Sequence, residues 1–338
     1  MSTSTTGEAG IGPAPAASQR SLLIDVVRGI AIVLVVLGHT NQGNIHRGWW
    51  GDANTGHRIE NAIYAFHMPA FFFVSGIFLR PGVDKRGEWS YTLGKLRTMI
   101  YPYLLWALLI FGAEHLFSRF MATGILSVHN FLIALVTANF SWFLPTIFLV
   151  VMAGMLLRKL PMPLVFALAV LAQLFIPATG ASDIDGGIKN LPFLLLGMWV
   201  GRAFTRFEAV PRALAGIGAL ALAGVMVACT RQLTYVLRPT IVPLGILGIV
   251  MLLLAARALD RSAPARWFAW AGEGSFGIFL MSEFPQGASR ELIHRLFHTT
   301  APWPHLLVTT AVAVVIPGWI YQHREKLKLG WLFVWPFR

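Results

Sequence analysis

Arg28 and His39 enclose ten residues that are all apolar or glycine, GIAIVLVVLG. On an α-helix the eleven steps from one to the other rise about 16 Å and turn about 1100°, within ~20° of three full turns. The two side chains therefore share one face, and Asp25, three residues before Arg28, can pair with it there. Ionisable groups inside an apolar run are costly in lipid and usually face the protein interior or a wet cavity. A second apolar run reads Ala65-Phe66-His67-Met68-Pro69 and continues through Ser75-Gly76. If it runs antiparallel to the first, His67 falls near the depth of His39. Two membrane histidines at similar depth suggest proton handling or a polar cavity. Spacing alone fits equally well an Arg28 that reaches for one interface and a His39 that closes the far end of the helix. Pro69 is expected to free a backbone carbonyl and kink the second run.

The elements that must position these residues follow from composition. The chain has 338 residues, 56% hydrophobic and only 12% charged, against roughly a quarter charged in soluble domains. That is the composition of an all-α, polytopic membrane protein. Its formal net charge of +12 does not imply nucleic acid, because basic residues of membrane proteins gather at cytoplasmic span ends. Cys229 is the single cysteine, which excludes an internal disulfide and a thiolate metal cluster. No HExxH spacing occurs, and His294 and His298, the one HxxxH pair, read as solvated surface residues, so no metal site is expected. Residues 1–19, rich in Ser, Thr, Ala, Gly and Pro, read as a disordered tail and not as a signal peptide.

About ten spans can be laid down, at 21–41, 61–79, 99–117, 142–157, 163–178, 191–205, 212–230, 239–256, 267–284 and 304–321. Segment 125–140 reads as an interfacial or re-entrant helix. With both termini cytoplasmic, eighteen basic residues fall on the inner side and eight on the outer. That asymmetry supports the ten-span arrangement.

The residues quoted above resemble the acyltransferase-3 family of bacterial membrane O-acyltransferases. The likeness lies in several pieces in family order. Asp25-x2-Arg28-Gly29-x9-His39 resembles its signature of a basic residue, ten residues and a histidine. Phe66-His67-Met68-Pro69 through Ser75-Gly76 resembles its second-span motif. Further matches are Arg97 through Pro102, Tyr103 and Trp106; Trp142-Phe143-Leu144; and Leu191-Pro192-Phe193 through Gly197-Met198 and Gly201. Ser275–Ser282 resembles a segment that the family writes with tyrosines and a closing histidine. Here the aromatics are Phe276 and Phe279, and Ser282 is followed by Glu283.

The resemblance implies an integral membrane acyltransferase domain over residues 20–322, with a cytoplasmic C-terminal tail at 323–338. It implies an O-acetyltransferase that moves acetyl from acetyl-CoA to a hydroxyl of an exopolysaccharide, another surface glycan, or its lipid-linked repeat unit. The location would be the bacterial inner membrane, and polysaccharide-assembly proteins would be possible partners. His39 is the candidate base or acyl carrier. Arg28 would hold the donor or orient the site through Asp25, and His67 would relay a proton or orient the acceptor. Arg97, together with Arg80, Lys85, Arg86 and Lys95, would meet the CoA nucleotide. Trp142, Ser75 and Glu283 complete the candidate set. Competing readings are a proton-coupled transporter or flippase, and a non-catalytic scaffold of a polysaccharide assembly complex.

Overall fold

A computed structural model describes residues 22–116, 127–137, 142–179, 182–231 and 238–336. The expected N-terminal tail, 1–19, lies outside the described residues. All regular structure among the described residues is helical. In chain order the helices are α1 Leu22–His46, α2 Ala53–Tyr64, α3 His67–Arg86, α4 Glu88–Lys95, α5 Tyr101–Leu116, α6 Val128–Val136, α7 Phe143–Leu157 and α8 Met162–Phe175. They continue as α9 Ser182–Val200, α10 Arg212–Thr230, α11 Arg238–Leu259, α12 Ala263–Glu273, α13 Ser275–Met281, α14 Glu283–Phe297 and α15 Pro302–Gln322. Six stretches are long and apolar enough to cross a membrane, counting α2 with α3 and α4 with α5 as continuous; α7 and α8 are shorter apolar helices. These helices are those of a membrane protein.

Helix ends follow local chemistry. Pro69 has no N–H to offer the Ala65 carbonyl, and the helix breaks at Ala65-Phe66. The expected kink is thus a full interruption, with Pro69 harmless in the first turn of α3. A π turn, Leu96–Ile100, leads into α5 just before Pro102, another residue without an N–H. The span expected at 267–284 is broken. Gly274 separates α12 from α13, and its Cα abuts Gly318 of α15. α6 has nine residues, too short to cross a bilayer.

Two crossings bring backbones together. α1 packs along α12, where a Cβ on Gly29 would overlap the Phe268 carbonyl and one on Gly272 would overlap the Asp25 carbonyl. α3 and α9 repeat the device, with Gly76 on the Leu194 carbonyl and Gly197 on the Phe73 carbonyl. Between apolar helices in lipid, close packing of small residues replaces the hydrophobic drive. Phe72, Phe193, Leu194 and Leu195 fill the core around the second crossing, all completely buried. α10, by contrast, exposes Leu214, Ile217 and Leu220, as a lipid-facing helix does.

The segment expected as a C-terminal tail is ordered through residue 336 and folds back on α5. Trp106 Nε1 donates to the Leu332 carbonyl at 2.9 Å, Tyr101 Oη to the Trp331 carbonyl at 2.9 Å, and the Trp335 N–H to the Arg97 carbonyl at 3.2 Å. Phe333 is fully buried between Trp106 and Tyr321.

The glycine crossings make a direct prediction. Gly272→Leu and Gly76→Leu should each destabilise the folded protein by about 3 kcal/mol or more, because the obstructing atoms are backbone. Gly224→Leu, whose Cβ would meet nothing within 4 Å, should leave thermal unfolding in detergent nearly unchanged.

Candidate active site

The face of α1 that carries Arg28 and His39 also carries Ile32 and Val35, one residue per helical turn. All four line cavities, but not the same one. Arg28, Ile32 and Val35 border a cavity of about 300 Å³. Val35 and His39 border a second, of about 240 Å³. The single polar cleft expected beside α1 is therefore divided. Val35, Met68, Phe143, Leu144 and Phe279 line both cavities and form the partition. Phe143 is its centre, with ring centroids 5.0 Å from Phe279, 5.9 Å from Phe71 and 5.8 Å from Phe72, all edge-on.

The Arg28 cavity is basic. Arg28 Nη2 donates to Ser275 Oγ at 2.8 Å, and Nη1 lies 3.6 Å from Asp25 Oδ1. Asp25 and Ser275 are buried, so the guanidinium is held from two sides while a quarter of it faces the void. This orientation depends on the α1–α12 crossing and on the break at Gly274, which presents Ser275 at the start of α13. Arg86 and Lys95 join the wall from α3 and α4. Both stack as cations over the buried Tyr91 ring, at 5.7 and 5.3 Å from its centroid. Ser75 lines the same cavity.

Of the basic residues expected to meet a nucleotide, only Arg86 and Lys95 stand in this wall. Arg80 donates to the Arg158 carbonyl at 2.7 Å and closes the end of α7. Arg97 is exposed on the π turn and borders neither cavity, and Lys85 is likewise absent from both walls.

The second cavity gathers His39, His67, Trp142 and Glu283, residues far apart in the chain. His39 exposes its ring to the void, and the Glu283 carboxylate acts on it electrostatically. His67 is 2% exposed, and its Nδ1 lies 2.7 Å from the Ile63 carbonyl across the helix break. A carbonyl only accepts, so Nδ1 carries the proton and Nε2 is left with its lone pair. The Tyr64 ring stands edge-on between the two histidines, 6.3 Å from His39 and 4.7 Å from His67. Ser282, which occupies the position where the resembling segment ends in histidine, is buried in the same wall beside Glu283.

Three wall residues escape sequence reasoning. Tyr64, Lys189 and Asn190 line the second cavity, and the Tyr64 hydroxyl finds no partner among the described residues. Tyr64 lies three residues before His67, one turn away in an unbroken helix, which is the signal that would have found it. Nothing local marks Lys189 or Asn190, because α9 reaches the cavity through its packing on α3 and α7. Among the described residues, no group of three His, Cys, Asp or Glu is arranged to hold a metal ion.

A base beside a carboxylate, a tyrosine and a second imidazole can move protons at a hydroxyl; a basic cavity on the far side of an aromatic partition can hold an anion. An acyltransferase domain matches residues 22–322. Nodulation protein NolL of Sinorhizobium fredii is 36% identical over 102 residues, 29% of this chain and 26% of the relative. Nodulation protein NolL of Mesorhizobium japonicum is 36% identical over 106 residues, 31% of this chain and 28% of the relative. The aligned stretches thus span under a third of those relatives' length. No solved structure matches this chain. With nearly the whole helical bundle inside the matched domain, the chain belongs to the acyltransferase-3 family.

Proposed function

We propose that this protein is a multi-pass bacterial inner-membrane O-acetyltransferase that moves acetyl from acetyl-CoA to a hydroxyl of an exopolysaccharide, another surface glycan, or its lipid-linked repeat unit. The observation that carries the reading is the α1 stripe Arg28–Ile32–Val35–His39, which runs along both cavities and joins a cation to an imidazole. About ten spans with both termini cytoplasmic would put the Arg28 cavity toward cytoplasmic CoA. Its phosphates would meet Arg28, Arg86 and Lys95. The acyl-thioester arm would pass the Phe143–Phe279 partition to reach His39.

The reaction then needs one base. The imidazole of His39 takes the proton of the acceptor hydroxyl as its oxygen attacks the thioester carbonyl carbon. The tetrahedral oxyanion faces Tyr64, whose hydroxyl has no partner among the described residues. The C–S bond breaks, the new C–O ester bond remains, and the CoA thiolate leaves with the proton from His39. Glu283 stabilises the imidazolium between the two transfers, and His67 fixes the Tyr64 ring edge. Trp142 gives the acceptor sugar an apolar wall.

Membranes carrying the protein and fed labelled acetyl-CoA should label glycan. His39→Ala should lower that transfer at least about 100-fold with expression intact, the scale of a lost general base. Undiminished transfer by this variant removes the mechanism.

Arg28→Lys keeps the charge but loses the planar fork that reaches Ser275. It should raise KM for acetyl-CoA by about tenfold and change kcat less. Ser275→Ala should act in the same direction more weakly, since Asp25 still holds the guanidinium. An effect on acceptor KM in place of donor KM would reverse the assignment of the two cavities.

A further inference from the structure

Lys189 enters the second cavity from α9, while His39 comes from α1 and Glu283 from α14, and it is only half-buried there. Among the described residues its ammonium makes no ion pair and no hydrogen bond. The acid one turn earlier, Asp185, is engaged elsewhere: its Oδ1 accepts from the Thr179 N–H at 2.8 Å and from Thr179 Oγ1 at 3.0 Å. A half-buried cation with no ion pair among the described residues favours an anion that comes to it.

Its neighbours extend the same chemistry. Asn190 is 1% exposed; its Nδ2 donates to the Gly186 carbonyl at 2.9 Å, while its Oδ1 has no partner among the described residues. Lys189 also borders a smaller recess of about 150 Å³ with Gln173, Asp185 and Arg238. Gln173 is 3% exposed, its Nε2 donates to the Arg238 carbonyl at 2.8 Å, and its Oε1 has no partner among the described residues. A free ammonium beside a free buried amide oxygen matches an oxyanion that has a hydroxyl next to it.

We infer that the acceptor is an anionic glycan, and that Lys189 binds its carboxylate or phosphate while Asn190 Oδ1 accepts from a neighbouring hydroxyl. This rests on the acyl-transfer reading for its consequence, which is acceptor choice. With the anion fixed on Lys189, a hydroxyl farther along the sugar turns toward His39. Lys189 is thus a specificity-determining residue, and its loss should fall on acceptor binding more than on turnover.

The test uses the purified full-length protein in nanodiscs with three probes. They are an alternating glucuronate–N-acetylglucosamine tetrasaccharide, its carboxyl-reduced neutral counterpart, and a polyprenyl-diphosphate-linked disaccharide of neutral sugars. The wild type should bind a charged probe at least about tenfold tighter than the neutral tetrasaccharide. Lys189→Met should abolish the preference and Lys189→Arg should keep it; Lys189→Gln replaces the Met variant if that fails to fold. Preference for the glucuronate probe identifies a carboxylate, and Lys189-dependent preference for the lipid-linked probe identifies the diphosphate. Equal binding of charged and neutral tetrasaccharides with no preference for the lipid-linked probe, binding of neither charged probe, or a preference that survives Lys189→Met overturns the inference. Lys189-dependent binding without any acetyl transfer by the wild type would sink the acyl-transfer reading and leave the anion site standing.

Discussion

At two crossings a backbone carbonyl occupies the space where a side chain would begin, and the functional geometry depends on both. Gly29 and Gly272 let α1 and α12 meet carbonyl to Cα, and Gly76 and Gly197 do the same for α3 and α9. In lipid there is no hydrophobic gain from joining two apolar helices, so dispersion at close range must hold them. The first crossing fixes Ser275 within 2.8 Å of Arg28. The second carries Lys189 and Asn190 to the wall that holds His67. Widening either by one methyl group would move charged groups that have few alternatives inside a membrane.

The divided cleft is a consequence of side-chain size at one level of the bundle. Away from that level the walls bring in Arg28, Arg86 and Lys95 on one side and His39, His67 and Glu283 on the other; at it they are Val35, Met68, Phe143, Leu144 and Phe279. The partition keeps the two sets of charges apart by distance, with which their Coulomb interaction falls off. A basic chamber can therefore sit directly beneath a histidine site without pairing with Glu283. The broken helix α12–α13–α14 serves both chambers, giving Ser275 to one and Ser282 and Glu283 to the other. The C-terminal strap braces the same region from outside through Phe333 and Trp106.

Much of this was legible along the chain. The α1 stripe follows from 3.6 residues per turn, and the apolar helices follow from the thickness a bilayer imposes. The ordered motifs point to the family that the matched domain establishes. Local rules read less well where partners are distant. Arg97 belongs to a recognisable motif, yet the π turn ahead of Pro102 leaves it exposed on the surface. Arg80 looks like any other cation of its loop, yet it is spent on the end of α7. The run 267–284 is hydrophobic enough for one span, but its glycine at 274 meets Gly318 of α15, a contact that no window of sequence contains.

Sequence alone determined that Arg28 and His39 share one face of α1 and that the chain is built of apolar helices, because each depends on neighbours within a few residues. Only the tertiary structure decided that Arg28 and His39 open into separate chambers, that Tyr64 stands between two histidines, and that Lys189 faces a cavity with no ion-pair partner among the described residues. Those outcomes depend on helices separated by up to 247 positions, as Arg28 and Ser275 are. How closely such helices approach is set by side-chain volume at their crossings, a quantity that has no periodic signature in the chain.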